Sequence, residues 1–146
     1  MVEHLDAIMD VMERAFDPAF GEAWNRSQVR DALITPNTHA IIAPDPSDGL
    51  ASGFLLSRAA PGEEELLLLA VKPARRRKGV ASNLVAAFKD QARLRGAERL
   101  FLEVRVNNPA IRFYELCGFQ RIGRRPNYYR QQDGGTLDAI TFALDL

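Results

Sequence analysis

The segment VKPARRRKGVASNLV, Val71–Val85, changes character midway. Five of the seven residues from Lys72 to Lys78 are cationic, and Gly79 then separates them from an apolar-periodic run. Ala81, Leu84, Val85, Phe88 and Ala92 keep helical spacing, and Gly96 stands where a helix would stop. Ahead of the segment, LLLLAV (Leu66–Val71) is apolar at every position, the pattern of a central strand covered on both faces. The order is strand, basic glycine-containing turn, helix start. A helix start presents unpaired N–H groups and the positive end of its dipole. Gly79 permits a close backbone approach or a positive φ. Ala81 is small where the helix must sit against a ligand. These features predict an anion site, most simply for a pyrophosphate. The spacing of a P-loop is absent, and so is the triple-glycine pattern of a dinucleotide fold.

The remaining elements follow from periodicity. In HLDAIMDVMERAF, His4–Phe16, the residues Leu5, Ile8, Met9, Met12 and Phe16 fall on one helical face. A second amphipathic helix is expected from Arg26 to Leu33, with Ser27 as its cap. HAIIA (His39–Ala43) and ASGFLLSRAA (Ala51–Ala60) read as strands of a hairpin around the turn cluster PDPSDG. PGEEE, Pro61–Glu65, reads as another turn. RLFLEVRV (Arg99–Val106) alternates, with Leu100, Leu102, Val104 and Val106 on one face and Phe101, Glu103 and Arg105 on the other. NNPAIRFYELCGF (Asn107–Phe119) carries a cap at Asn108, a proline in its first turn and a stop at Gly118. GFQRIGRRPNYYR and LDAITFALDL read as two strands joined by the polar turn QQDGG. The order of two helices, three strands, helix, strand, helix and two strands predicts one α/β domain over residues 1–146, a mixed sheet with helices on its faces.

Composition narrows the function classes. The chain has 146 residues, 47% of them hydrophobic, with 19 Lys and Arg against 19 Asp and Glu. A net charge of zero argues against a protein that coats nucleic acid by charge alone, so the basic cluster calls for a local partner. No apolar run has the length of a membrane span, and MVEHLDAIMD does not read as a signal peptide. The single cysteine, Cys117, fits a reducing compartment, and the expected location is the cytoplasm. No histidine is placed to activate Cys117, which reads as a small buried apolar residue. No cluster has the spacing of metal ligands, so no metal is expected.

The segment RRKGVA, Arg76–Ala81, resembles the pyrophosphate-binding turn of the GNAT acetyltransferase superfamily: arginine or glutamine, two residues, glycine, one residue, then glycine or alanine. A second segment strengthens the likeness. Asn107, Ala110, Ile111, Tyr114, Gly118 and Phe119 match the family's later helix, and LEVR before them and RRPNYY after them resemble the RimI branch. The likeness covers about Leu66 to Leu144 and implies a GNAT fold, a mostly antiparallel mixed sheet with helices on both faces. It implies acetyl-CoA as co-substrate. The pyrophosphate would lie on Arg76, Arg77, Lys78, Gly79, Val80, Ala81 and Ser82. Backbone groups of Leu69, Ala70 and Val71 would pair with the pantetheine arm, and Asn107 would contact it. The branch acetylates the N-terminal alanine of ribosomal protein S18, with a glutamate base and a tyrosine acid. Those roles fall on Glu103 and Tyr114. Arg124, Arg125, Tyr128 and Tyr129 would line the groove for the acceptor. One departure is visible: only Val106 stands between Arg105 and Asn107, where the branch carries two residues.

The residues make chemical sense without the likeness. Acetyl transfer from a thioester needs a neutral amine, and an α-amino group with a pKa around 8 is mostly protonated at neutral pH. A carboxylate such as Glu103 can take its proton, directly or through water. A phenol such as Tyr114 can protonate the departing thiolate. Without its context, a strand glutamate more often pairs with a neighbour such as Arg105, a lone tyrosine more often packs in the core, and a Tyr pair more often packs too. Acetylation of a small amine, a non-catalytic acetyl-CoA sensor and an RNA- or ribosome-binding module are the competing readings. No direct contact with nucleic acid or membrane is expected.

Overall fold

The computed structural model describes residues 2–16, 23–47 and 50–146. Among the described residues, four α-helices and six strands follow one another in the expected order: α1 (Val2–Ala15), α2 (Arg26–Ile34), β1 (Thr38–Pro44), β2 (Ala51–Ala60), β3 (Glu63–Val71), α3 (Val80–Leu94), β4 (Arg99–Arg105), α4 (Ala110–Leu116), β5 (Gln120–Arg130) and β6 (Thr136–Asp145). The strands form one sheet in the order β1-β2-β3-β4-β6-β5. Every pairing is antiparallel except β3 with β4, which α3 joins as a crossover.

Each face of the sheet carries two helices. On one, Leu84, Val85, Phe88 and Ala92 of α3 and Tyr114 of α4 pack on Leu100, Leu102 and Val104 of β4 and on Ile140 and Phe142 of β6. On the other, Leu5, Ile8, Met9, Val11 and Met12 of α1 and Val29 of α2 cover Phe54, Leu56, Leu68 and Ala70. The apolar stripe expected on α1 is thus the buried one, widened by Val11.

Three local expectations are corrected. The cap of α2 is Asn25, not Ser27. Asn25 Oδ1 accepts from the Gln28 N–H at 2.8 Å while Gln28 Oε1 accepts from the Asn25 N–H at 2.8 Å, a reciprocal capping box. Glu63–Glu65 is strand rather than turn. Glu64 is buried, and Arg95 at the end of α3 donates to its Oε1 at 2.9 Å, so a charged residue sits in the sheet without an unpaired charge. At α4 the N-cap is Pro109 rather than the expected Asn108, which stands one residue earlier and accepts from the Ala110 N–H through Oδ1 at 2.8 Å.

One irregularity shapes the middle of the sheet. Leu56 is opposite Leu68 and Ser57 opposite Leu66, so Leu67 is an extra residue in β3, a bulge. It reverses the alternation. Leu66 faces the α3–α4 core, whereas Leu68 and Ala70 face the α1–α2 core. At the same point the pairing of β3 with β4 ends. Glu63–Leu66 pair with Arg99–Leu102, and the rest of the two strands runs unpaired to Val71 and Arg105.

Close packing holds the end of β3 in place. A Cβ on Gly53 of β2 would lie 2.8 Å from the Ala70 carbonyl oxygen, and 3.1 and 3.2 Å from side-chain carbons of Val71 and Val80. Gly53→Ala is therefore expected to lower stability by about 1–3 kcal/mol, the usual cost of overpacking. Gly123→Ala is the control, since its Cβ would meet only Thr141, at 3.9 Å. Its urea midpoint should stay near that of the parent, while that of Gly53→Ala falls.

Candidate active site

Where β3 and β4 part, a cleft of about 820 Å³ opens. Its walls are Leu66–Val71 of β3 and Leu102–Arg105 of β4. The turn after β3 and Tyr128 and Tyr129 of β5 also line it. The unpaired edge of β3 exposes backbone N–H and C=O groups that sheet pairing would otherwise satisfy. An extended ligand with amide groups can take the place of a neighbouring strand there.

The turn is built largely by its own cations. Lys72 is buried, and its Nζ lies 2.6 Å from Asp10 Oδ2 on α1. Pro73–Arg75 form a single 3-10 turn. Arg75 donates from Nε and Nη2 to both oxygens of Asp45, each at 2.9 Å, and from Nη2 to Ser47 Oγ at 2.7 Å. The Arg75 guanidinium, and after it the donors of Ser47, hold the Asp45 carboxyl well below the usual carboxylate range. Arg76 donates to the Val71 carbonyl at 3.2 Å and to the Ala15 carbonyl at 2.8 Å. Three of the five cations thus tie the turn to α1, to β3 and to the β1–β2 connection. Among the described residues no ion pair engages Arg77 or Lys78.

The backbone then prepares the helix start. Arg77 has φ 62° and Gly79 φ 81°, both left-handed. Alternation of this kind gathers N–H groups into a concave, anion-binding array. Gly79 is the N-cap of α3 and makes no side-chain cap hydrogen bond, and the first turn holds no acidic residue. Its N–H groups therefore stay open to an external anion. Arg76, Arg77, Gly79, Val80, Ala81 and Ser82 line the cleft together with Leu69, Ala70 and Val71; Lys78 stands outside the lining.

A carboxylate and a phenol also line the cleft. Glu103 has a side chain only 7% exposed, with Arg125 Nε 3.1 Å from its Oε1 and Thr141 Oγ1 donating to its Oε2 at 2.6 Å. Its ion pair is with Arg125 on β5, not with Arg105 as the bare strand pattern would suggest. Tyr114, 7% exposed, reaches the cleft from α4, edge-on to Phe113 and Phe119 at centroid distances of 5.4 and 6.0 Å. Tyr129 donates to the Glu103 carbonyl at 3.2 Å, and Tyr128 packs edge-on against Tyr129 at 5.0 Å with Arg125 5.6 Å above its ring.

Arg124, Arg125 and Asn107, like Lys78, lie beside the cleft rather than on it. Arg124 binds Asp138 Oδ2 at 2.6 Å, and Asp138 Oδ1 accepts from the Asn127 N–H at 2.9 Å. This clamp supports the irregular stretch of β5 between Arg125 and Tyr129 that presents the tyrosines. Asn107 is exposed and accepts from Arg105 Nη1 at 2.6 Å. In the shortened turn its neighbour Asn108 lines the cleft instead. Sequence reasoning also passed over Glu65 and Phe113, both on the lining. Glu65 sat in what read as a turn, and Phe113 carries no motif. Burial pushes the Cys117 thiol up, as suits a packing residue. Among the described residues no group of three His, Cys, Asp or Glu side chains is arranged for a metal, and no helix is long and apolar enough to cross a membrane.

Comparison with known proteins agrees with this architecture. The family model described as Acetyltransferase (GNAT) family matches residues 5–119. The ribosomal protein bS18-alanine N-acetyltransferase of Haemophilus ducreyi is 38% identical over 94 residues, which cover 64% of this chain and 65% of that protein. The N-alpha-acetyltransferase RimI of Mycobacterium tuberculosis is 32% identical over 129 residues, 85% of this chain and 77% of that one. The crystal structure of the ribosomal-protein-S18-alanine N-acetyltransferase from Escherichia coli superposes with a TM-score of 0.84 at 30% identity, covering 97% of this chain and 86% of the other. With a split sheet, an open helix start behind a basic turn and a family match over most of its length, the chain belongs to the GNAT acetyltransferase family.

Proposed function

We propose that the chain transfers the acetyl group of acetyl-CoA to the α-amino group at a protein N-terminus, with the N-terminal alanine of ribosomal protein S18 as the leading substrate. One observation carries the chemistry. The parting of β3 and β4 puts an anion-binding helix start, a free strand edge, a carboxylate and a phenol along a single cleft. The pyrophosphate lies on the turn and the start of α3, within reach of Arg77. The pantetheine arm pairs with the edge at Leu69–Val71, which brings the thioester to the middle of the cleft. The relatives named for S18 alanine acetylation support the acceptor, and the two tyrosines supply walls for a peptide.

The reaction is a direct transfer. Glu103 accepts a proton from the acceptor nitrogen, the lone pair attacks the thioester carbonyl carbon, and a C–N bond forms as the C–S bond breaks. Tyr114 gives a proton to the leaving sulfur. A thiolate needs little driving force to leave, so the harder requirement is a neutral amine in a dry site.

Thiol release from acetyl-CoA tests the reading against a panel: a peptide copied from the S18 N-terminus, scrambled peptides and small amines. Release with the S18 peptide alone is expected. Release with small amines only would keep the chemistry and discard the acceptor. Glu103→Gln should lower turnover by roughly 10²-fold at neutral pH, the upper range of a lost general base being larger still; an unchanged rate would remove Glu103 from proton transfer. Tyr114→Phe should slow turnover while calorimetry finds acetyl-CoA affinity retained. Gly79→Val should weaken acetyl-CoA binding about tenfold, since a β-branched residue at φ 81° carries roughly 1–3 kcal/mol of strain. Equal affinity would sink the assignment of the turn.

A further inference from the structure

The basic turn is in contact with the last residue of α1, and Arg76 makes the contact. Its Nε donates to the Val71 carbonyl at 3.2 Å, and its Nη2 donates to the carbonyl of Ala15 at 2.8 Å. Ala15 ends α1, so its carbonyl is one of those a helix leaves without a partner at its C-terminus, where the dipole also favours a cation. A second tie lies further back on the helix, where the buried Lys72 ammonium is 2.6 Å from Asp10 Oδ2. The turn thus grips α1 at Asp10 and again at Ala15.

The gripped segment stands on the face of the sheet that carries the carboxylate. Leu102 and Val104 point into the α3–α4 core, so Glu103 between them points to the face that α1 and α2 cover. Ala15 and Phe16 pack against the core of that same face, and both line the cleft. An amine that reaches Glu103 therefore passes on their side. Arg76 is poorly set to hold a phosphate instead. The Nε–Nη2 edge of its guanidinium, which could bind a phosphate side-on, is aimed at two carbonyl oxygens that an anion there would meet.

We infer that Arg76 is a positioning residue for the acceptor, which clamps the C-terminal end of α1 and so sets the wall that Ala15 and Phe16 present to the incoming peptide. This deepens the N-terminal acetylation reading and rests on it. Arg76 moves from the pyrophosphate, where the sequence likeness put it, to the acceptor. The turn then serves both ligands, the anion through its backbone and Arg77, the acceptor through Arg76.

The test compares wild type, Arg76→Met, Arg76→Gln and Arg77→Met in thiol release from acetyl-CoA with the S18 N-terminal peptide. Acetyl-CoA affinity is measured separately by calorimetry, and hydrogen exchange is followed along α1 and α3. Methionine keeps a long apolar stem and removes the donors, whereas glutamine returns an N–H donor. Arg76→Met is expected to keep kcat and the acetyl-CoA affinity and to raise KM for the peptide about fivefold, the scale of one ordinary hydrogen bond. Amides in the last turn of α1 should exchange faster, while those of α3 stay as in the wild type. Arg76→Gln should recover part of the peptide KM. Arg77→Met should show the opposite split, with acetyl-CoA bound more weakly and the peptide KM unchanged. An Arg76→Met that loses acetyl-CoA affinity with its peptide KM unchanged overturns the proposal and returns Arg76 to the pyrophosphate; so does one in which neither constant moves. Parallel losses in both constants, with faster exchange in α1 and α3 alike, mean a general loosening of the fold and overturn it too. A wild type that binds acetyl-CoA and leaves the S18 peptide unacetylated overturns the N-terminal acetylation reading, and the role of Arg76 with it.

Discussion

Four cross-strand pairs hold β3 beside β4, Glu63–Leu66 against Arg99–Leu102, and the site exists because there is no fifth. A parallel pair that continued to Val71 would satisfy its own backbone and leave no cleft. The separation is imposed from both sides. The bulge at Leu67 turns the upper half of β3 toward the α1–α2 core, so Leu68 and Ala70 are anchored there rather than beside β4. β4 stays flat against β6, paired along its whole length from Arg99 to Arg105. Two hydrophobic cores thus pull two neighbouring strands apart, and the polar backbone left between them can be matched by an extended ligand.

The basic turn shows how a charge cluster divides its work. Lys72, Arg75 and Arg76 are tied to Asp10, to Asp45 with Ser47, and to the end of α1. They fix the direction in which Arg77, Gly79 and the first turn of α3 face. In the proposed reading, anion binding rests mainly on backbone N–H groups and the helix dipole, with Arg77 as the nearby charge. Rigidity is the reason for this division. Backbone groups held by buried ion pairs need little reorganisation when a pyrophosphate arrives, whereas five mobile side chains would each lose rotamer freedom.

The carboxylate of the cleft follows the same logic with the sign reversed. Thr141 and Arg125 set the Glu103 carboxylate in position, Tyr129 holds its backbone carbonyl, and Asp138 with Arg124 shapes the strand that carries Tyr128 and Tyr129. Most of these supports come from β5 and β6, the last elements of the chain. The chemistry of β4 therefore depends on segments far away in sequence.

Much of this was legible before any coordinates. Local periodicity determined the kind and order of every element, because a helical or alternating stripe must find a core wherever it lies. The turn before Gly79 was recognisable because glycine, small residues and a helix start are local requirements for binding an anion, and Glu103 and Tyr114 stood in a locally patterned strand and helix. What stayed hidden depends on partners remote in the chain. Nothing in EEELLLL says that Glu64 is neutralised by Arg95, that Leu67 is a bulge, or that Glu65 lines the cleft. Nor does RRRK say which cations are tethers. Pairing, bulging and charge division are set only when β2, β4 and α1 close around these residues, because each depends on which group lies opposite in space rather than on which residue comes next.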